Sequence, residues 1–451
     1  KNFKSLDYKQ AVIPIESLIN QELVLFSIQD NIRSIPSYVD GLKPSQRKII
    51  YACFKKNPTK KTEIKVSQLS GYVSEQTSYH HGEQSLMDTI INMSQNFVGS
   101  NNMNLLVPSG QFGTRLMGGK DASSPRYIFT YLSEYISQLF NTDDFNLLEY
   151  LNDDGLNIEP KFYVPKLPII LINGSQGIGT GFSTSVPCFN PEDIKRELIS
   201  LVNNPDHEIQ ELTPWYKGFT GEIVKTDENK WLSIGKYTVN NYTITVSELP
   251  VGTWTEDYKQ FLEKLEQEDK IHSFKNMSTE STVRFEIKMK MAVLEEWKDS
   301  LEKNLKLTSN INAQNMHLFN EHGEIVKMHS PEEILWNFYK IRTQYNLRRK
   351  VYLEKTLSHE VKILESKVRF LEMIISNELV VFRRKKIDIA TDLDKLQFYK
   401  DSNYDYLLDM NIHSFTDEKI TELTKKMNDR KLEHSRVQKM TTKDIWLTDL
   451  V

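Results

Sequence analysis

The sequence of 451 residues predicts an α/β multidomain (α+β) chain, and three observations carry that prediction. The length exceeds what one hydrophobic core organises, so about two to four domains are expected. Between about 160 and 325 the texture turns to short β-rich runs, VPKLPIILING, GEIV, KYTVNNYTITVSEL and VRFEIKMKM, separated by Gly, Pro and Asn turns. From Leu357 onward apolar residues recur in alternating steps of four and three, the signature of a helix–helix seam.

Composition narrows the class. The chain is 39% hydrophobic, enough to fold several cores, and no run of 18 apolar residues marks a membrane span. The opening KNFKSLDYKQ lacks the apolar stretch of a secretory signal. Cys53 and Cys188 lie far apart, with no CxxC or Cys/His ligand spacing, so neither a disulfide framework nor a zinc site is expected. The net charge of −4 conceals asymmetry, because residues 33 to 65 carry nine Lys/Arg (Arg33, Lys43, Arg47, Lys48, Lys55, Lys56, Lys60, Lys61, Lys65) against Asp40 and Glu63. By charge alone this cluster reads as a solvated face or as a phosphate-binding surface.

In chain order, PIESLINQELVLFSIQDN (14–31) has apolar residues at helical spacing with Ser17 available as an N-cap. Pro36 and the Gly41-Leu42-Lys43-Pro44 turn break the pattern before SQRKIIYACF, a second helix that Ser45 can cap. Arg47 and Lys48 fall in its first turns, where cations oppose the helix dipole, so an outside anion is the expected compensation. KVSQLSGYVSEQ and HGEQSLMDTIINMSQNF add two short helices at a spacing compatible with a helix-turn-helix or winged-helix unit.

In the last third, Val361, Leu364, Val368, Leu371 and Ile375 continue the seam. Ile420, Leu423, Met427 and Val437 answer it, with Arg430 and His434 at the intervening positions, as an antiparallel returning helix would. A helix from about Glu332 to Leu379 would be roughly 70 Å long, so it should project as an arm, with DLDKLQFYKDSNYDY (392–406) as its head.

Three motifs could carry chemistry. Gly174-Ser175-Gln176-Gly177-Ile178-Gly179-Thr180-Gly181 lacks GxxxxGK[ST], and no helix start follows to receive a phosphate. It reads as a tight loop on which Ile178 is either buried or offered as a wedge between base pairs. His80 and His81, in YHHGEQ, have no further ligands at metal spacing, which leaves turn residues, proton transfer or a phosphate contact. Tyr127, in SPRYIFT, reads first as a packing tyrosine. A tyrosine phenol can also attack a phosphodiester, but its pKa of about 10 demands a base or a strong field, and the neighbouring Arg126 is suited to stabilise that charge.

Taken in order, NIRSIPSYVDGLKPSQRKIIYACFKK, YVSEQTSYHHGEQSL, QNFVGSNN, GQFGTRLMGGKDASSPRYIFT, NGSQGIGTGFST and the terminal KDIWLTDL resemble the DNA breakage-reunion core of eukaryotic-type DNA topoisomerase II (type IIA) over nearly the whole chain. The resemblance implies that Tyr127 is the nucleophile forming a 5′-phosphotyrosine bond, that Arg126 stabilises the scissile phosphate and that His81 assists there. It implies that Arg33, Lys43 and Arg47 hold the DNA backbone, that His80 is a weaker phosphate contact, and that Ile178 wedges between base pairs. The implied layout is a connecting segment and helix (1–32), a winged-helix domain with the catalytic tyrosine (33–145), a β-rich tower domain (146–325), and a coiled-coil arm with a dimerisation gate (326–451).

The implied activity is an ATP-dependent type II isomerisation by a homodimer acting on double-stranded DNA. A transient double-strand break lets a second duplex pass and is then resealed. Mg²⁺ and ATP would serve the full-length enzyme from outside this chain, since no EGDS glutamate or DxD cluster stands upstream of the winged helix, and the sequence reads as a fragment lacking both modules. The compact arm head and Asn/Lys-rich spelling look closest to the version in large cytoplasmic DNA viruses such as African swine fever virus. Host cytoplasm at viral replication sites is the expected location for a viral protein and the nucleus for a cellular one. A non-catalytic DNA-bending scaffold is the alternative within the binding class, and a purely structural coiled-coil protein would leave the basic cluster and Ile178 without a purpose.

Overall fold

The computed structural model describes Leu6, Lys9 and residues 12–56, 62–411 and 416–450, so Lys60 and Lys61 of the basic cluster and most of the first eleven residues lie outside the described residues. The chain divides into two compact units, one extending to Arg342 and the other from Thr343 to Asp449.

The first unit opens with a helical stretch made of Ile15–Leu18, a π-helical turn Ile19–Leu23, and Val24–Ser34. It begins after Pro14 with no side-chain cap, so Ser17 is a helical residue and not the expected cap. Helix Pro44–Lys56 starts at Pro44, and Gln46 Oε1 accepts the Lys43 N–H at 2.9 Å, the reaching-back half of a capping box. Ser45, the expected cap, therefore lies inside the helix.

Helices Val66–Thr77 and Glu83–Ser94 follow, separated by Ser78 in the left-handed conformation. Ile49, Ile50, Val66, Leu69, Val73, Leu86 and Ile90 are buried among these three helices. At about 1.5–3 kcal/mol per fully buried aliphatic side chain, this core holds the helices together. Strand Ile64–Lys65 pairs antiparallel with Phe129–Thr130 and so ties the segment around Tyr127 to the start of helix Val66–Thr77.

The β-rich texture becomes three sheets and a hairpin. A four-stranded sheet takes the order Ile271–Asn276, Phe285–Met289, Thr243–Glu248, Lys236–Asn240, and a three-stranded one the order Thr308–Asn312, Lys230–Ile234, Glu222–Asp227. Another four-stranded sheet has the order Ile325–Met328, Met316–Phe319, Ser183–Val186, Ser175–Ile178. Tyr150–Asp153 and Leu156–Pro160 form the hairpin. Ile244, Val246, Phe285 and Ile287 bury one face of the first sheet against Tyr258 and Leu262 of helix Thr255–Gln267. One expected strand is a helix. In LPIILING, Ile169–Asn173 is helical and its first four residues are fully buried. A short apolar run buried on all sides has no periodicity to distinguish the two states.

The second unit contains the greater part of helix Pro331–Ile375 and the returning helix Asp417–Lys439. The pair is antiparallel: Leu364, Val368 and Leu371 pack with Ile420, Leu423 and Met427, while Arg430 pairs with Glu360 at 3.0 Å. That ion pair accounts for a cation at a seam position. The first helix ends at Ile375, short of the expected Leu379, because Asn377 turns left-handed and Leu379 is buried in a separate cluster with Phe370, Ile389, Leu393, Phe398 and Tyr404. No helix among the described residues is long and apolar enough to cross a membrane.

Candidate nucleic-acid interface

Tyr127 sits on a turn whose backbone is pinned while its side chain is offered outward. Its N–H donates to Ser124 O at 2.9 Å, Pro125 O accepts from Ser67 N at 3.1 Å, and Ile128 O accepts from Val66 N at 3.0 Å. Ile128 is buried, whereas Tyr127 is 77% exposed. Gly110, at φ +111°, lies so close to Ile128 that an added Cβ would come within 3.0 Å of its methyl group. The strand Phe129–Thr130 is extended by mutual hydrogen bonds between Ser109 and Phe129, at 3.0 and 2.9 Å. Gln95 Nε2 donates to Phe112 O at 2.9 Å and holds the preceding glycine-rich loop. Arg126 is exposed beside Tyr127, and among the described residues its guanidinium has no hydrogen-bond or ion-pair partner. An aryl hydroxyl and a cation are thus presented together on a rigid base.

A second group gathers around the end of helix Val24–Ser34. Arg33, Ser45, Lys48, Tyr79 and His81 line a concavity of about 370 Å³. The His81 ring meets Tyr79 edge-on, with centroids 5.3 Å apart. Lys43 Nζ donates to Gln176 O at 2.7 Å, and burial draws its ammonium below its ordinary pKa. Gln176 lies in the hairpin formed by Ser175–Ile178 and Ser183–Val186, closed by Gly179 N to Phe182 O at 2.9 Å. At its tip Ile178 is 85% exposed. The neighbouring glycines are explained by close packing: an added Cβ would lie 2.1 Å from Ser34 O at Gly177 and 2.2 Å from Asn31 Oδ1 at Gly179. Of the two readings of Ile178, the offered side chain is the observed one.

Arg47 is held by internal partners. It is buried, and it donates Nε and Nη2 to the two oxygens of Asp40 at 2.7 and 3.0 Å, with a further bond to Leu42 O at 2.9 Å. Asp40 therefore supplies the counter-charge that was expected from an outside anion. Losing one partner of such a buried pair costs about 3–5 kcal/mol, so the pair is part of the fold. Lys48 is also committed: its Nζ donates to Thr77 O at 2.6 Å and pairs with Glu159 at 2.9 Å, placing a cation at the C-terminus of helix Val66–Thr77. Arg33 differs. Its pair with Asp30 at 3.1 Å engages one nitrogen of an otherwise exposed guanidinium, which leaves donors for an anion. His80 is largely exposed, 4.0 Å from Asp153.

The structure brings His81, Arg33, Lys43 and Ile178 to one end of the helices and leaves Arg126 and Tyr127 at the other. Helix Val66–Thr77 starts against the Tyr127 turn and ends just before His80 and His81. Helix Glu83–Ser94 starts beside His81 and ends at Ser94, whose hydroxyl lies 3.4 Å from that of Thr130. Each helix has 12 residues. At 1.5 Å per residue each spans about 18 Å, so Tyr127 and His81 of one chain do not share a phosphate. Asp30, Asn31 and Thr180 were not singled out in the sequence. The i, i+3 spacing of Asp30 and Arg33 was readable there, but their link to Thr180 is purely tertiary.

Residues 33–451 match the model of the family described as the A-type subunit of DNA gyrase/topoisomerase IV, and the chain belongs to that family. Within it the similarity runs to eukaryotic type II enzymes. The chain is 43% identical to DNA topoisomerase 2, mitochondrial, of Dictyostelium discoideum, over 99% of this chain and 35% of that protein. It is 38% identical to DNA topoisomerase 2 of Saccharomyces cerevisiae, again over 99% of this chain and 35% of that protein. A crystal structure of the Plasmodium falciparum topoisomerase II DNA-binding, cleavage and re-ligation domain superposes with a TM-score of 0.90 at 38% identity, covering 100% of this chain and 65% of that one. The chain spans about a third of the length of the curated relatives it matches.

Proposed function

We propose that this chain is the DNA-binding, breakage and rejoining core of an ATP-dependent type II DNA topoisomerase, an isomerase in which Tyr127 is the nucleophile. The observation that carries the reading is the exposed Arg126–Tyr127 pair on an immobilised turn, in a chain similar throughout to topoisomerase II sequences. A scaffold that only bends DNA has no use for that pair.

In this reading the Tyr127 oxygen attacks the scissile phosphorus. A phosphotyrosine ester forms at the 5′ side, the bond to the 3′ oxygen breaks, and in net the proton given up by the Tyr127 phenol ends on that oxygen, which leaves as a hydroxyl. Arg126 stabilises the extra charge on the phosphorane. The phosphotyrosine keeps the energy of the original ester, so attack by the 3′-hydroxyl reseals the strand with no separate energy source. Among the described residues no group of three His, Cys, Asp or Glu is placed to hold a metal ion, so no step is assigned to Mg²⁺ here. Mg²⁺ and ATP belong to the longer protein in this reading.

Residues 33–145 act as the winged-helix domain, 146–325 as the tower, and 326–451 as the coiled-coil arm with its gate. Residues 1–32 act as the N-terminal connecting segment and helix. Two copies work together on double-stranded DNA. Because the Tyr127 and His81 ends of one copy are about a helix length apart, each cleavage site combines Tyr127 and Arg126 of one copy with His81, Arg33 and Lys43 of the other. His80 is an outlying phosphate contact, and Ile178 wedges into the bent duplex. The nucleus is the place of action that agrees with the cellular relatives. The viral likeness rests on the arm head and the spelling alone, with host cytoplasm as its corresponding location.

A mixed dimer of the full-length protein tests this, one copy carrying Tyr127→Phe and the other His81→Ala. The shared-site reading expects one intact site and single-strand nicking by the mixed dimer. Loss of all cleavage in the mixed dimer would place both groups in one copy and overturn it.

A further inference from the structure

We propose that Asp30 is a positioning residue that couples the phosphate contact of Arg33 to the base-pair wedge at Ile178. The inference rests on the DNA-bending part of the function proposed above and adds to it a residue that touches no DNA.

Asp30 divides its two oxygens between the two partners. Oδ1 accepts from Arg33 Nη2 at 3.1 Å, and Oδ2 accepts from the Thr180 hydroxyl at 2.8 Å. Thr180 lies on the hairpin turn two positions beyond Ile178. The neighbouring Asn31 donates Nδ2 to Thr180 O at 3.0 Å, so consecutive residues of the helix grip both the side chain and the backbone of the turn. The contact is close enough that Gly179 admits no side chain. On the opposite flank Lys43 holds Gln176 O.

A carboxylate on a surface that receives DNA works against affinity, since it repels phosphate and neutralises Arg33. Its side chain is nevertheless only 17% exposed, against 61% for Arg33. The Thr180 hydrogen bond, followed by Arg33, holds its carboxyl below the ordinary carboxylate range, so it is ionised at neutral pH. Asp30 therefore contributes geometry at the expense of binding strength. Only one Arg33 nitrogen engages it, which leaves the other guanidinium donors for a phosphate. Arg33 and the Ile178 turn are set relative to one another through this one carboxylate.

Affinity and bending should then move in opposite directions. The full-length protein is titrated into a duplex carrying donor and acceptor dyes at its ends, and binding and energy transfer are read separately. Asp30→Ala is expected to tighten binding roughly two- to fivefold, the equivalent of releasing Arg33 from an exposed ion pair, and to lower the transfer that reports bending. Thr180→Val, which keeps the Asp30–Arg33 pair, is expected to lower bending with affinity within about twofold of the parent. Asp30→Glu, which restores the charge, should return affinity to the parent value. Ile178→Ala is the reference: if it leaves bending intact, the wedge reading itself fails. If Ile178→Ala lowers bending while Asp30→Ala and Thr180→Val do not, the wedge stands and the role of Asp30 is overturned. Should Asp30→Ala not fold, Thr180→Val alone decides between these outcomes.

Discussion

Arg47 and Asp40 form a closed, buried unit in which the guanidinium meets both carboxylate oxygens, at 2.7 and 3.0 Å. Asp40 also accepts the backbone N–H groups of Leu42 and Tyr163, each at 3.0 Å, so all its acceptor directions are used. The pair braces the turn before helix Pro44–Lys56 against the segment at Tyr163, and it fixes Lys43 where the Gln176 carbonyl can reach it.

Removing one partner should therefore act on stability. Asp40→Ala leaves a buried, unpaired guanidinium, and we expect a loss of about 3–5 kcal/mol in the unfolding of the first unit, read by denaturant titration. A loss below about 1 kcal/mol would mean that the site is solvated.

The basic residues should divide in the same way by salt dependence. Arg33→Ala and Lys43→Ala are each expected to reduce the slope of log affinity against log salt by about 0.9, the release of one phosphate's counterion. Arg47→Met, which removes the charge, should leave the slope unchanged and weaken the fold by stranding Asp40. A loss of about 0.9 from the slope in Arg47→Met would return this residue to the DNA surface.

Burial pushes both the Cys53 and Cys188 thiols up to about 12. The ordinary value of 9.0 applies once the chain unfolds. The folded state therefore binds these protons more tightly, so their contribution to stability is complete below pH 9 and is lost as pH rises from 9 toward 12. Both thiols should resist alkylation at pH 8.5 in the native protein and react on denaturation, as mass spectrometry would record. Rapid native labelling of either one would contradict its burial.

Much of the architecture was legible because periodicity survives folding. The seam through Leu364, Val368 and Leu371, its partner at Leu423, and the short helices between 45 and 94 all form. The Ile169–Asn173 helix was not legible, since a short run buried all round carries no period. Candidate site residues could be named from the sequence, but their arrangement could not. Tyr127 and His81 belong to one family pattern, but only the two helices between them reveal that a single chain holds them apart. The pairing of Arg47 was not legible, because Asp40 lies in the turn before the helix begins, and a charge count cannot distinguish an internal pair from a free cation.

The proposed function turns on the covalent joining of Tyr127 to DNA. The direct measurement is to trap the full-length protein on end-labelled duplex with Mg²⁺, digest the adduct and locate the modified residue by mass spectrometry. A single phosphotyrosine is expected at position 127, at the 5′ end of the broken strand, with no adduct from Tyr127→Phe. An adduct on another residue, or undiminished cleavage by Tyr127→Phe, would contradict it.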